Sequence, residues 1–213
     1  MTRDLSARRA TRSRQTKETS IEVAVDLDPV GAAVVEVESG IPFFDHMVNQ
    51  LGKHSGISLQ VRAVGDLAVD THHTIEDVGI ALGECVREAL GDHVGVRRFA
   101  SVAVPLDEAL IEVALDLSGR PFLVYEVDPA GDAPRADVPV MPLGNPAFDP
   151  QLAEEFWRAF VMAAMVTLHI RMRSGKNTHH ILEASFKAVA RAFRDAIRVE
   201  GNAVPSTKGT LNA

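Results

Sequence analysis

Thr71-His72-His73-Thr74-Ile75-Glu76 and Thr178-His179-His180-Ile181-Leu182-Glu183 are two copies of one pattern, THHxxE, standing about a hundred residues apart. The residues after each histidine pair read as a helix, so the first His and the Glu lie four apart on one face. The second His points roughly 100° away from them. Each copy therefore presents imidazole nitrogens in two directions with a carboxylate between, the ligand types a divalent first-row transition metal takes. Both pairs open their helices, where the positive dipole end disfavours a protonated imidazole and favours a neutral, ligating one. A lone His on a half-buried helix usually packs or caps, but an adjacent pair cannot be buried on one apolar face.

Working outward, the first copy is preceded by alternation over Ile21 to Leu27 and a valine-rich run from Ala32 to Val37, with Asp28-Pro29-Val30-Gly31 between them. This spacing predicts a hairpin. Gly40-Ile41-Pro42 opens a helix from Phe43 to about Lys53, Ile57 to Val64 is a third strand, and the first motif leads a helix to about Leu90. The second half predicts strands over Phe99–Val104, Ala109–Asp116 and Pro121–Val127, then a helix from Pro150 to about Met165. A strand near Thr167–Met172 and a helix from His179 to Ile197 complete it. The shared echo is strand, strand, helix, strand, helix. The expected class is α+β: an internal duplication of two α/β units, 18–95 and 96–200, each a mostly antiparallel sheet with helices on one face. Duplicated ligands at matching places suggest a pseudo-twofold site.

Two stretches fall outside that rhythm. Residues 1–17 hold Arg3, Arg8, Arg9, Arg12, Arg14 and Lys17 against Asp4 alone, and read as a flexible, solvated arm. Asp128 to Pro150 contains six prolines and reads as a surface loop, mobile or packed against a neighbouring subunit.

At 213 residues and 46% hydrophobic content the chain can bury a proper core. The single Cys85 excludes a disulfide framework and points to a reducing cytoplasm. The net charge of −7, with the cations crowded into the arm, argues against a nucleic-acid-binding body. Phe160 to Ile170, the most apolar run, is too short to span a bilayer.

Histidines outside the repeats extend the ligand set. His46 lies in the PFFDHM helix and His169 in the strand before the second motif, giving with Glu76 and Glu183 six imidazoles and two carboxylates. That is enough for two ions with three His and one Glu each, and unlike the oxygen cages of Ca²⁺ or Mg²⁺. His93 reads as a packed residue at a helix end, and His54 as either a helix-end cap or a site residue. Arg97 and Arg98, Arg120 in SGRP, Lys176 in SGKN and Lys208 in VPSTKG sit in or beside turns. Taken singly each is a surface charge; together with Ser206 they are equipment for a phosphate monoester.

The motifs GIPFFDHM (40–47), DTHHTIEDVGIALG (70–83), RRF (97–99), VPLDEAL (104–110), DLSGRP (116–121), TLHI (167–170), SGKNTHHILEASFKA (174–188) and VPSTKG (204–209) together closely resemble the imidazoleglycerol-phosphate dehydratase family. The resemblance runs from about Glu18 to Gly209. It leaves out the arm, and the Pro-rich stretch looks longer than the family's usual link. No phosphatase module is appended, so the monofunctional form is expected.

The resemblance implies a duplicated fold of the ribosomal protein S5 domain 2-like type. It implies dehydration of D-erythro-imidazoleglycerol phosphate to imidazole acetol phosphate in histidine biosynthesis. The ring would be held as imidazolate by two Mn²⁺ ions per active site, in a 24-subunit homo-oligomeric shell with sites between subunits. By motif, one metal takes His46, His73, Glu76 and His180, and the other His72, His169, His179 and Glu183. Arg98, Arg120, Lys176, Ser206 and Lys208 meet the phosphate, with Gln50 and His54 also on the substrate. Glu18, with His72 and Glu183, is expected to act in catalysis, Glu18 by moving a proton or assisting the departing hydroxide. Two competing classes are a dimetal phosphoester hydrolase and a non-catalytic metal-binding scaffold.

Overall fold

The computed structural model describes residues 8–128, 130 and 140–211. Its elements run β1 (Arg9–Gln15), β2 (Thr19–Asp26), β3 (Val35–Glu38), α1 (Pro42–Ser55), β4 (Ser58–Gly65) and α2 (His72–Leu90). The second half runs β5 (Phe99–Leu106), β6 (Ala109–Asp116), β7 (Phe122–Glu126), α3 (Leu152–Ala164), β8 (Thr167–Ser174) and α4 (Thr178–Ala196). Each half is therefore βββαβα. The strand orders, β1-β2-β4-β3 and β5-β6-β8-β7, are the same order shifted by four. Two of the three pairings in each sheet are antiparallel, and the third is a parallel pair joined through a crossover helix.

Two sequence expectations fail here. The 28–31 turn does not make a hairpin: β3 lies parallel to β4, and β2 is flanked instead by β1 and β4. The strand that displaces it comes from the stretch expected to be a flexible arm. Arg9 to Gln15 pairs along β2 from Asp26 to Ser20. Its basic side chains are neutralised by the acidic body: Arg8 forks onto Asp28 at 2.7 Å, Arg12 reaches Glu88 at 2.6 Å, and Arg14 Nε reaches Asp77 at 2.7 Å. Charge density makes a segment look disordered only while its partners are unseen. Residues 1–7 lie outside the described residues.

Alternation places Ile21, Val23 and Val25 of β2, with Leu59, Val61 and Ala63 of β4, on one buried face, and β6 and β8 do the same in the second sheet. Helices cover these inner faces: α2 packs on β1 and β2, and α4 on β5 and β6. The halves join through α2 against α3 and α1 against α4, contacts that interchange when the two repeats are exchanged. Gly79 and Gly83 make the α2–α3 approach possible, since a Cβ there would stand 2.8 Å and 2.6 Å from the Phe156 and Phe160 carbonyl oxygens. Cys85 is wholly buried, and burial pushes its thiol up to about 11.

The described part of the Pro-rich stretch is not a mere surface loop. Leu143 and Phe148 bond each other's backbones, and the buried Phe148 ring packs 5.3 Å from Phe43 and 6.2 Å from Phe44. Ala147 O accepts a 3.2 Å bond from Thr71 Oγ1, which ties the stretch to the first motif. Phe148→Ala is accordingly expected to destabilise the protein by about 3–5 kcal/mol, read as a lowered denaturant midpoint. An unchanged midpoint would mean that this ring is not part of the core. Pro129, Pro134 and Pro139 lie outside the described residues.

Candidate active site

The first turn of α4 is fixed by Asn177, whose side chain accepts from the backbone N–H of His179 and His180 at 2.9 Å and 3.3 Å. One helical turn on, Glu183 Oε2 lies 2.9 Å from His179 Nε2, as the i,i+4 spacing requires. Helix α1 packs across α4 and brings His46 Nε2 to 3.4 Å from the same carboxylate oxygen. The donor atoms of His46, His179 and Glu183 lie within 4.8 Å of one another, the one such group of three among the described residues. Two imidazoles and a carboxylate at that spacing fit a single Zn²⁺- or Mn²⁺-like ion. Within one protomer His46 thus stands beside His179 and Glu183, where the resemblance sets it with His73, Glu76 and His180.

Lys187 completes the cluster, a residue the motif reading passed over. Its Nζ sits 2.7 Å from Glu183 Oε1, so the carboxylate turns Oε2 towards the histidines. Burial works to raise Glu183, but hydrogen bonds from Lys187 and His179 overcome it and hold the carboxyl at about 2. The signal was in the sequence, because Lys187 stands four after Glu183. Along α1 a polar row continues from His46, with Gln50 Nε2 3.5 Å from His46 Nδ1 and Gln50 Oε1 3.0 Å from His54 Nε2. Burial lowers the His54 pKa, and Lys187 and Arg191 lower it further. His54 is thus part of this row rather than a simple helix cap. His93 is the packed residue expected, 4% exposed, its pKa lowered by burial.

The first motif makes a matching but looser arrangement. His72 Nε2 stands 3.8 Å from Glu76 Oε2. His73 Nδ1 meets Asp66 at 3.1 Å and lies 3.8 Å from Glu18, in the turn between β1 and β2. The Asp66 hydrogen bond raises the His73 pKa. In the second repeat His180 Nδ1 meets Glu108 at 2.8 Å. That bond, with the Asn177 N–H, holds the Glu108 carboxyl down at about 2. Asp66 and Glu108 were not singled out by the sequence: Asp66 reaches His73 only through the bend of the loop before α2, and Glu108 stands 72 residues before His180.

His169 is elsewhere. On β8 it alternates with buried Leu168 and Ile170, and so faces away from the helices, on the open side of the second sheet. One protomer therefore does not bring His169 to His72, His179 and Glu183.

The cations also divide. Arg98 forks onto Asp116 at 2.7 Å and 3.2 Å, and donates to Pro205 O at 2.7 Å, which pins the tail. Arg120 lies in the turn whose Gly119 abuts the Leu211 carbonyl, so Arg98, Arg120 and the tail carrying Ser206 and Lys208 share one end of the second sheet. That end is marked by the Thr167–Asp116 pairing. Lys176 follows Ser174 at the other end of β8, about 25 Å away for an eight-residue strand.

The model of the imidazoleglycerol-phosphate dehydratase family matches residues 39–193, most of the chain. It spans every residue just described except Glu18 and the tail. This chain belongs to the imidazoleglycerol-phosphate dehydratase family. A relative of that name from Acidothermus cellulolyticus is 51% identical over 205 residues, covering 96% of this chain and 93% of the relative. The crystal structure of imidazoleglycerol-phosphate dehydratase from Staphylococcus aureus superposes with a TM-score of 0.73 at 32% identity, covering 90% of this chain and 99% of that one. The Pyrococcus furiosus structure of the same family superposes at 0.74 with 33% identity, covering 93% and 99%. The family's duplicated two-sheet fold is thus the fold of this chain, and the THHxxE copies stand at the same place in each repeat.

Proposed function

We propose that the chain dehydrates D-erythro-imidazoleglycerol phosphate to imidazole acetol phosphate and water, a step of histidine biosynthesis in the cytoplasm. The observation that carries this reading beyond family membership is the His46–His179–Glu183 cluster, with further histidine–carboxylate pairs made by both motifs, His72–Glu76 and His180–Glu108. Two Mn²⁺ ions are the proposed cofactors. His46, His179 and Glu183 would hold one; His72, His73, Glu76, His169 and His180 supply the remaining donors. Bound there, such cations would supply positive charge to the imidazole ring of the substrate and so acidify a position that no carbonyl activates.

The chain's own residues do the rest. Lys187 fixes Glu183 so that Oε2 faces both cluster histidines. Glu18, 55% exposed, is free to take or return a proton or to assist the leaving hydroxide. Arg98 holds the tail in place, and Arg120, Ser206 and Lys208 bind the phosphate, which fixes the far end of the substrate chain and so orients its reacting carbons. Because His169 faces away from the cluster within one protomer, and Lys176 lies at the opposite end of β8 from Arg98 and Arg120, a complete site draws on more than one copy of the chain. This favours a homo-oligomer, with a 24-mer as the proposed assembly. No helix among the described residues is long and apolar enough to cross a membrane.

The test is the product. Purified protein with Mn²⁺ and imidazoleglycerol phosphate is expected to yield the ketone with its phosphate retained, and chelation to stop the reaction until Mn²⁺ is restored. Release of inorganic phosphate would instead identify a dimetal hydrolase, and an unaltered substrate a metal-binding scaffold.

A further inference from the structure

The two repeats place a glutamate at the same point, immediately before the second strand: Glu18 ahead of β2 and Glu108 ahead of β6. Both approach Nδ1 of the second histidine of their own motif, yet they have diverged. Glu18 stops at 3.8 Å from His73 and Asp66 takes that nitrogen instead, at 3.1 Å. Glu108 closes to 2.8 Å on His180 with one oxygen. With the other it accepts from the backbone N–H of Lys176 at 3.1 Å and of Asn177 at 2.8 Å. Asn177 is in turn the residue that caps α4. One carboxylate thus ties together the β5–β6 turn, the loop before α4 and the His180 ring.

We propose that Glu108 is the positioning residue of His180: it keeps the proton on Nδ1 and turns Nε2 outward as the nitrogen offered to a divalent cation. An ionised carboxylate only accepts, so its partner nitrogen must carry the hydrogen and the opposite nitrogen bears the lone pair. A ligating histidine held by a carboxylate on its other nitrogen is oriented and made more basic. Asp66 does the same for His73, and this leaves Glu18, the other product of the duplication, open to the substrate. Asp107, the other residue of the β5–β6 turn, lies 3.7 Å from His180 Nε2 and 74% exposed, beyond hydrogen-bond reach. The inference rests on the metal-dependent function proposed above.

Glu108→Gln and Glu108→Ala separate orientation from scaffolding. The Gln variant keeps an oxygen for the two backbone N–H groups, but its amide donates towards Nδ1 and favours the wrong tautomer. Mn²⁺ binding to the metal-free full chain, by calorimetry, is expected to weaken about 10–100-fold in both variants. The metal-free Gln variant should melt where the wild type does, and turnover should return at saturating Mn²⁺ with KM little changed. Wild-type Mn²⁺ affinity in both variants would overturn the inference. So would a loss confined to Glu108→Ala and accompanied by a lower melting temperature. These titrations contain no substrate. A wild type that binds Mn²⁺ but makes no ketone would refute the proposed reaction and leave the role of Glu108 to be read independently.

Discussion

Glu183→Ala is expected to lower kcat by about 10³ or more, since removing a charge-stabilising metal position forfeits on the order of 4 kcal/mol of barrier. Three features converge on that side chain. It touches both cluster histidines, it is held ionised against burial, and it is the partner of Lys187. The substitution also leaves the Lys187 ammonium, 19% exposed, without its carboxylate, so the loss extends beyond one ligand. Steady-state turnover with excess Mn²⁺ measures this directly. Activity within tenfold of wild type would show that the cluster is not where the chemistry is supported.

Glu18→Gln should behave differently, with kcat falling by about 10² or more while metal content stays at the wild-type level. The turn that carries Glu18 is well fixed. Thr16 Oγ1 accepts from the backbone N–H of Glu18 at 3.1 Å and of Thr19 at 2.9 Å, and the Thr19 hydroxyl donates to Asp77, which Arg14 also holds. The glutamine is therefore expected in the same place with only its proton-transfer capacity removed. Metal analysis beside kcat separates the two variants: Glu183→Ala loses both, Glu18→Gln only turnover. Unchanged turnover in Glu18→Gln would remove Glu18 from the mechanism.

The duplicated architecture was legible because period-two and period-3.6 patterns are local, and THHxxE marks the same point in both repeats. The edge strand β1 was not. Arg9, Arg12 and Arg14 look like a solvated tail until Asp26, Glu88 and Asp77 are seen opposite them. The parallel placement of β3 also escaped, since alternation reports which face of a strand is buried but not which neighbour it pairs with. At the site, the contact of His179 with Glu183 follows from helical spacing. Its partner His46 does not, because that meeting depends on how α1 crosses α4. Lys187 was readable by spacing, whereas Asp66 and Glu108 reach their histidines only through loop geometry. Of the residues expected at the phosphate, Arg120 and the tail carrying Ser206 and Lys208 lie at one end of the second sheet, where Leu211 packs against Gly119. Lys176 does not join it.

The most direct test is the metal count of the purified chain and of His46→Ala after equilibration with Mn²⁺ and removal of free metal. Two Mn²⁺ per chain in the wild type and one in the variant is the predicted result. Two in both, or none in the wild type, would contradict a dimetal centre built on His46, His179 and Glu183.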